Sequence, residues 1–136
     1  MDVQVKRRFT ASAEQVFDAF LDPAKAGKFL FATPDGEMVR AEIDARAGGK
    51  FTFTDRRNGE DVDHTGEYIE LDRPRRLVFD FRVPKYSAES TRVAIDITPH
   101  ESGCELTLTH SGVLQEYVEQ TREGWSGILE RLAAVV

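Results

Sequence analysis

LQEYVEQTREGWSGILERLAAVV, residues 114–136, is the stretch whose spacing decides the fold. Leu114, Tyr117, Val118, Thr121, Trp125, Ile128, Leu129 and Leu132 recur at steps of three and four, so on a helix they form one apolar stripe. Gln115, Glu116, Glu119, Gln120, Glu123, Glu130 and Arg131 take the opposite face. At 1.5 Å per residue such a helix spans roughly 30 Å, the width of a small domain. The stripe has to be covered. Gly124 and Gly127 flank Trp125, and a glycine inside a helix costs about 1 kcal/mol relative to alanine. That pairing points to close helix–sheet contact, or to a cavity wall thinned beside the indole.

The cover is read upstream. Val3, Val5 and Phe9 alternate with Gln4, Lys6 and Arg8, which predicts a first strand. Ser12 to Gln15 has capping-box form and opens a short helix through Val16, Phe17, Phe20 and Leu21. Asp22-Pro23 ends that helix and restarts a second one reaching about Leu30. From Gly36 the period becomes two, with Val39, Ala41, Ile43 and Ala45 in phase, then Phe51 and Phe53 after the Gly48-Gly49 turn. Asn58-Gly59 predicts a hairpin turn with positive φ at both positions. Glu67, Ile69 and Leu71 follow, then Leu77, Phe79, Phe81 and Val83, then Val93, Ile95 and Ile97, then Leu106, Leu108 and His110. The order is β-α-α, six strands, then α: about seven strands in all. Short links favour antiparallel neighbours. The expectation is an α+β fold in a single domain, residues 1–136, whose curved antiparallel sheet grips the terminal helix and leaves a cavity between them.

The totals permit this. A chain of 136 residues with 40% hydrophobic content and nine Phe can bury a core without metal or disulfide. A net charge of −6 works against nonspecific nucleic-acid binding. The clusters Lys6-Arg7-Arg8 and Arg73-Pro74-Arg75-Arg76 read as solvated faces. Cys104 is the lone cysteine, which points to a reducing compartment. The first residues lack a secretory pattern and no apolar run reaches membrane length, so a soluble cytoplasmic protein is expected.

The stretches RFTASAEQVFDAF (8–20), GGKF (48–51), GEYIELDRPRRL (66–77), ELTLTH (105–110) and EGWSGILERL (123–132) carry a family resemblance. Their order resembles the helix-grip fold of START-like (SRPBCC) proteins, which include the birch-pollen allergen type, polyketide cyclases and lipid-transfer domains. More narrowly, the chain resembles bacterial homologues of the heat-shock ATPase activator, the AHSA type. Such members usually carry Trp in the second short helix, where this chain has Phe29-Leu30-Phe31. The resemblance implies binding of a small hydrophobic or amphipathic molecule. A cochaperone-like interaction module is the reading the activator homology allows.

Polar residues that share the apolar phase are the ones expected to matter, since burying them without a partner is unfavourable. His110 should point under the long helix, either as a core histidine bonded to backbone or Tyr117, or as a group that orients a ligand or moves a proton. Asp55 continues the phase of Phe51 and Phe53 but lies near a turn, where exposure is expected. Glu67 shares phase with Ile69 and Leu71 unless a bulge exposes it and buries Tyr68. An Asp55/Glu67/His110 set would give a cyclase- or hydrolase-type enzyme. The expected cavity lining is Phe53, Phe79, Phe81, Ile95, His110, Tyr117, Thr121, Trp125 and Leu129. No cofactor is implied: His64, His100 and His110 lack metal-ligand spacing, no nucleophile elbow accompanies a Ser, and Gly48-Gly49 joins strands rather than cradling phosphate. Edge strands leave a homodimer open.

Overall fold

Alternation and turn chemistry build one seven-stranded antiparallel sheet, which the computed structural model describes within residues 1–136. The strands are β1 (Val3–Phe9), β2 (Glu37–Ile43), β3 (Lys50–Arg57), β4 (Glu60–Asp72), β5 (Arg76–Arg82), β6 (Thr91–His100) and β7 (Gly103–Ser111). Helices α1 (Ala13–Leu21) and α2 (Pro23–Phe29) follow β1, and α3 (Val118–Val135) ends the chain. The spatial order is β1-β7-β6-β5-β4-β3-β2, so the first and last strands pair at one end and β2 forms the other edge. This is the expected helix-grip α+β architecture. No helix is long and apolar enough to cross a membrane.

Local chemistry sets the elements. The Ser12 hydroxyl accepts from the Gln15 amide while the Gln15 side chain accepts from the Ser12 amide, closing the capping box of α1. Asp22 ends α1 and its carboxylate caps α2 through the Ala24 amide. Asn58 and Gly59 sit at φ 51° and 80°, the left-handed pair that a two-residue hairpin requires. That turn fixes the β3–β4 register, setting Phe51 opposite Gly66, Phe53 opposite His64 and Asp55 opposite Val62. The Phe51 ring lies over Gly66, where an added Cβ would come within 2.3 Å of Phe51 Cζ.

Three expectations are corrected. A bulge between Met38 and Arg40 turns Val39 outward, and another between Tyr68 and Glu70 exposes Ile69; each inserts one residue and resets the alternation. Glu67 is accordingly exposed and Tyr68 buried. The terminal helix also starts late. Met1 and Val113 exchange backbone hydrogen bonds at 2.9 and 3.1 Å, which holds the chain extended beyond β7. Leu114 remains extended and Gln115–Tyr117 make a 3-10 turn, so Leu114 and Tyr117 are 61% and 51% exposed rather than on the buried stripe. From Trp125 onward the stripe is as expected: Trp125, Ile128, Leu129 and Leu132 are buried. Gly124 faces open space, with no atom within 4 Å of an added Cβ, so neither close sheet contact nor a thinned wall explains it.

Candidate ligand-binding site

The space between sheet and α3 is an aromatic chamber with a ring already at its centre. That ring is Phe31, just past α2. It stacks on His64 at 4.6 Å between centroids and 14° between planes. Phe81, Phe53, Trp125 and Phe51 surround it at 5.1, 5.7, 6.0 and 6.1 Å. Contacts at these separations and angles add to the stabilisation from burial alone. They offset an unfavourable backbone: Phe31 has φ 58°, a left-handed conformation that costs a bulky residue on the order of 1–3 kcal/mol.

One wall of the chamber joins α3 to the sheet. Trp125 Nε1 donates to His110 Nδ1 at 3.0 Å. An indole N–H can only donate, so Nδ1 is the acceptor and the ring proton belongs on Nε2. Nε2 in turn lies 2.7 Å from Thr91 Oγ1. Neither backbone nor Tyr117 serves His110, which corrects the expected partner. Burial pushes the His110 pKa down to about 4, so the imidazole is neutral near pH 7.

The opposite end is polar. Asp55 is fully buried, contrary to the expected exposure, because the segment between α2 and β2 folds over it. Thr33 Oγ1 donates to Asp55 Oδ2 at 2.8 Å, and Arg57 Nε donates to the same oxygen at 2.8 Å. Gly36 lies so close that an added Cβ would meet both carboxylate oxygens at 2.6 Å. Arg57 Nη2 also reaches the Phe31 carbonyl at 3.3 Å, and Arg131 Nη2 donates to the Ala32 carbonyl at 2.6 Å. His64 sits between this polar end and the rings. Its pKa falls to about 4, chiefly through burial and then through the Arg57 charge. The Phe53 carbonyl, the Asp55 charge and the Val62 carbonyl act in the opposite direction, and Nδ1 makes no hydrogen bond within the protein.

A family model described as Activator of Hsp90 ATPase homolog 1-like protein matches residues 10–136. The chain belongs to this family. Similar solved structures include protein CV1439 from Chromobacterium violaceum, 25% identical with a TM-score of 0.88 over 99% of this chain and 96% of that one. An AHSA1-like protein from Aeromonas hydrophila is 21% identical, with a TM-score of 0.87 over 100% and 92% of the two chains. CalU16 from Micromonospora echinospora is 19% identical, with a TM-score of 0.75 over 98% and 74%. No curated protein matches.

In this AHSA1-like chain the expected site residues separate into groups. Phe53, Phe79, Ile95 and Leu129 are fully buried beneath or beside the chamber, and Phe81, His110 and Trp125 line it. Thr121 is half-buried and Tyr117 lies outside. The Asp55/Glu67/His110 set is not assembled: Glu67 is exposed, Asp55 is bound to Arg57 and Thr33, and both ring nitrogens of His110 are engaged elsewhere. No three His, Cys, Asp or Glu side chains converge as a metal site. Two hollows lie away from the chamber. One of about 300 Å³ runs beside Arg8, His100 and Cys104, and one of about 440 Å³ lies on the outer sheet face around Lys50, Glu67 and Arg82. Sequence reasoning missed Phe31, Thr33, Arg57, His64 and Arg131. His64 was findable, because the Asn58-Gly59 turn puts it opposite Phe53. The rest depend on where the loop after α2 lands.

Proposed function

We propose that this AHSA1-like chain is a noncatalytic binding protein for a small, largely apolar molecule with a flat ring, held between the sheet and α3. The observation that carries the reading is Phe31: a loop residue in strained backbone supplies the central ring of a box whose walls are Phe53, His64, Phe81 and Trp125. Small-molecule sites are mostly apolar with a few polar groups that fix orientation. Here the polar atoms with bonding capacity to spare are Asp55 Oδ1, His64 Nδ1 and Arg131 Nε, grouped at one end of the chamber. Catalysis is not favoured, since His110 is neutral, doubly bonded and has no carboxylate beside it.

A second reading is a protein-interaction module, in keeping with the family's description as related to an ATPase activator. It is supported by the filled chamber and by the exposed Leu114 and Tyr117 at the start of α3. Native mass spectrometry of protein purified from its source cells separates the two. A one-to-one adduct of small-molecule mass supports the binding protein. A ligand-free chain that carries a co-purifying polypeptide moves the assignment to the interaction module.

A further inference from the structure

We infer that the Phe31–Thr33 segment is a built-in plug, and that the molecule which displaces it is a planar aromatic carboxylate. The inference rests on the ligand-binding reading and adds how the chamber opens and what it selects. Three successive residues of the segment are each held by side chains of other elements. Phe31 is held through its carbonyl by Arg57, Ala32 through its carbonyl by Arg131, and Thr33 through its hydroxyl by Asp55. In contrast, the only backbone–backbone hydrogen bond the segment makes runs from Gly36 N to Thr33 O. A stretch anchored this way can leave without breaking a helix or a strand ladder.

The unsatisfied groups of the molecule mark the same place. Asp55 Oδ1, His64 Nδ1 and Arg131 Nε are the buried side-chain polar atoms that make no hydrogen bond within the protein. All three belong to residues that touch the plug. Buried polar atoms are usually paired, so their clustering around one removable segment points to a second occupant with polar atoms of its own.

The chemistry of that occupant follows from the two ends. The ring slot is flat, because Phe31 lies nearly parallel to both His64 and Phe51, at 14° to each. At the polar end Arg57 is already paired with Asp55, which leaves Arg131 as the cation without a carboxylate. Arg131 spends one atom of its Nε/Nη2 edge on the Ala32 carbonyl and leaves the other idle. Arg73 uses the same edge to grip both oxygens of Asp18 at 2.7 and 2.8 Å, and Arg92 grips Asp80 likewise at 2.7 and 3.1 Å. A carboxylate would fill the Arg131 fork as no single carbonyl can.

The test titrates 2-naphthoate and its neutral analogue 2-acetylnaphthalene into the full chain, with Trp125 fluorescence and calorimetry as readouts. While the plug occupies the chamber, apparent affinity equals the intrinsic affinity multiplied by the fraction of molecules that are open. Phe31→Ala is therefore expected to bind both probes at least tenfold more tightly than wild type. Arg131→Gln removes both the carboxylate fork and the Ala32 anchor of the plug, so it is expected to bind 2-acetylnaphthalene more tightly than wild type while its affinity for 2-naphthoate falls at least tenfold relative to that neutral probe. This variant keeps the aromatic core, so it carries the test if Phe31→Ala does not fold. Binding that Phe31→Ala leaves unchanged overturns the plug, and equal effects of Arg131→Gln on both probes overturn the carboxylate fork; either way the binding reading stands. No binding of either probe to any version overturns that reading as well.

Discussion

Trp125 Nε1 donates to His110 Nδ1 at 3.0 Å, and this bond is the polar tie between α3 and the last strand of the sheet. It sets the histidine tautomer and commits Nε2 to Thr91, while burial keeps the ring neutral near pH 7. His110→Leu would leave the buried indole N–H without its acceptor and the half-buried Thr91 hydroxyl without its ring partner. An orphaned buried donor costs about 1–3 kcal/mol, so the variant should lose roughly 2–3 kcal/mol. For a domain of this size that is a fall in Tm of roughly 3–5 °C per kcal/mol. Urea denaturation checks it, and an unchanged midpoint would show that the bond is not structural.

The two buried histidines make stability depend on pH. Their folded pKa values, about 4, lie below the ordinary value of 6.5, so between those limits the unfolded chain binds more protons than the folded one. Their contribution is complete above pH 6.5 and is lost as pH falls toward 4. Each can account for up to roughly 3 kcal/mol over that window. Denaturation midpoints at pH 7.5, 5.5 and 4.5 should fall in that order. His110→Leu should show a shallower dependence than wild type. A flat profile in wild type would contradict the buried, neutral state of both rings.

Gly124 has no structural employment in the fold. Its helical position faces open space, so Gly124→Ala should raise stability by about 0.5–1 kcal/mol through helix propensity alone. Thermal unfolding reads this directly. A destabilised variant would mean that some contact of α3 depends on the missing side chain.

Much of this architecture was legible in the residues. The capping box at Ser12, the Asp22-Pro23 restart and the Asn58-Gly59 turn each act through neighbours in sequence, and each appears where its local chemistry requires. The bulges that turned out Val39 and Ile69 were not legible, because an inserted residue leaves no local signature when both sides keep alternating. The start of α3 departs from its helical phase for a tertiary reason: the Met1–Val113 ladder holds Leu114 extended. Asp55 shows the same limit at the candidate site. Its in-phase position was visible, but its burial depends on Thr33 and Gly36 from a loop some twenty residues away folding over it.

Ligand binding in this chain requires that the space between sheet and α3 accept a molecule. The chain has one tryptophan, so a ¹H–¹⁵N spectrum carries one indole resonance, and that proton sits on the chamber wall. During a titration with 2-naphthoate this resonance should shift saturably with one-to-one stoichiometry. An indole signal that stays fixed while amides of Leu114–Tyr117 move would place binding on the outer surface and contradict the account.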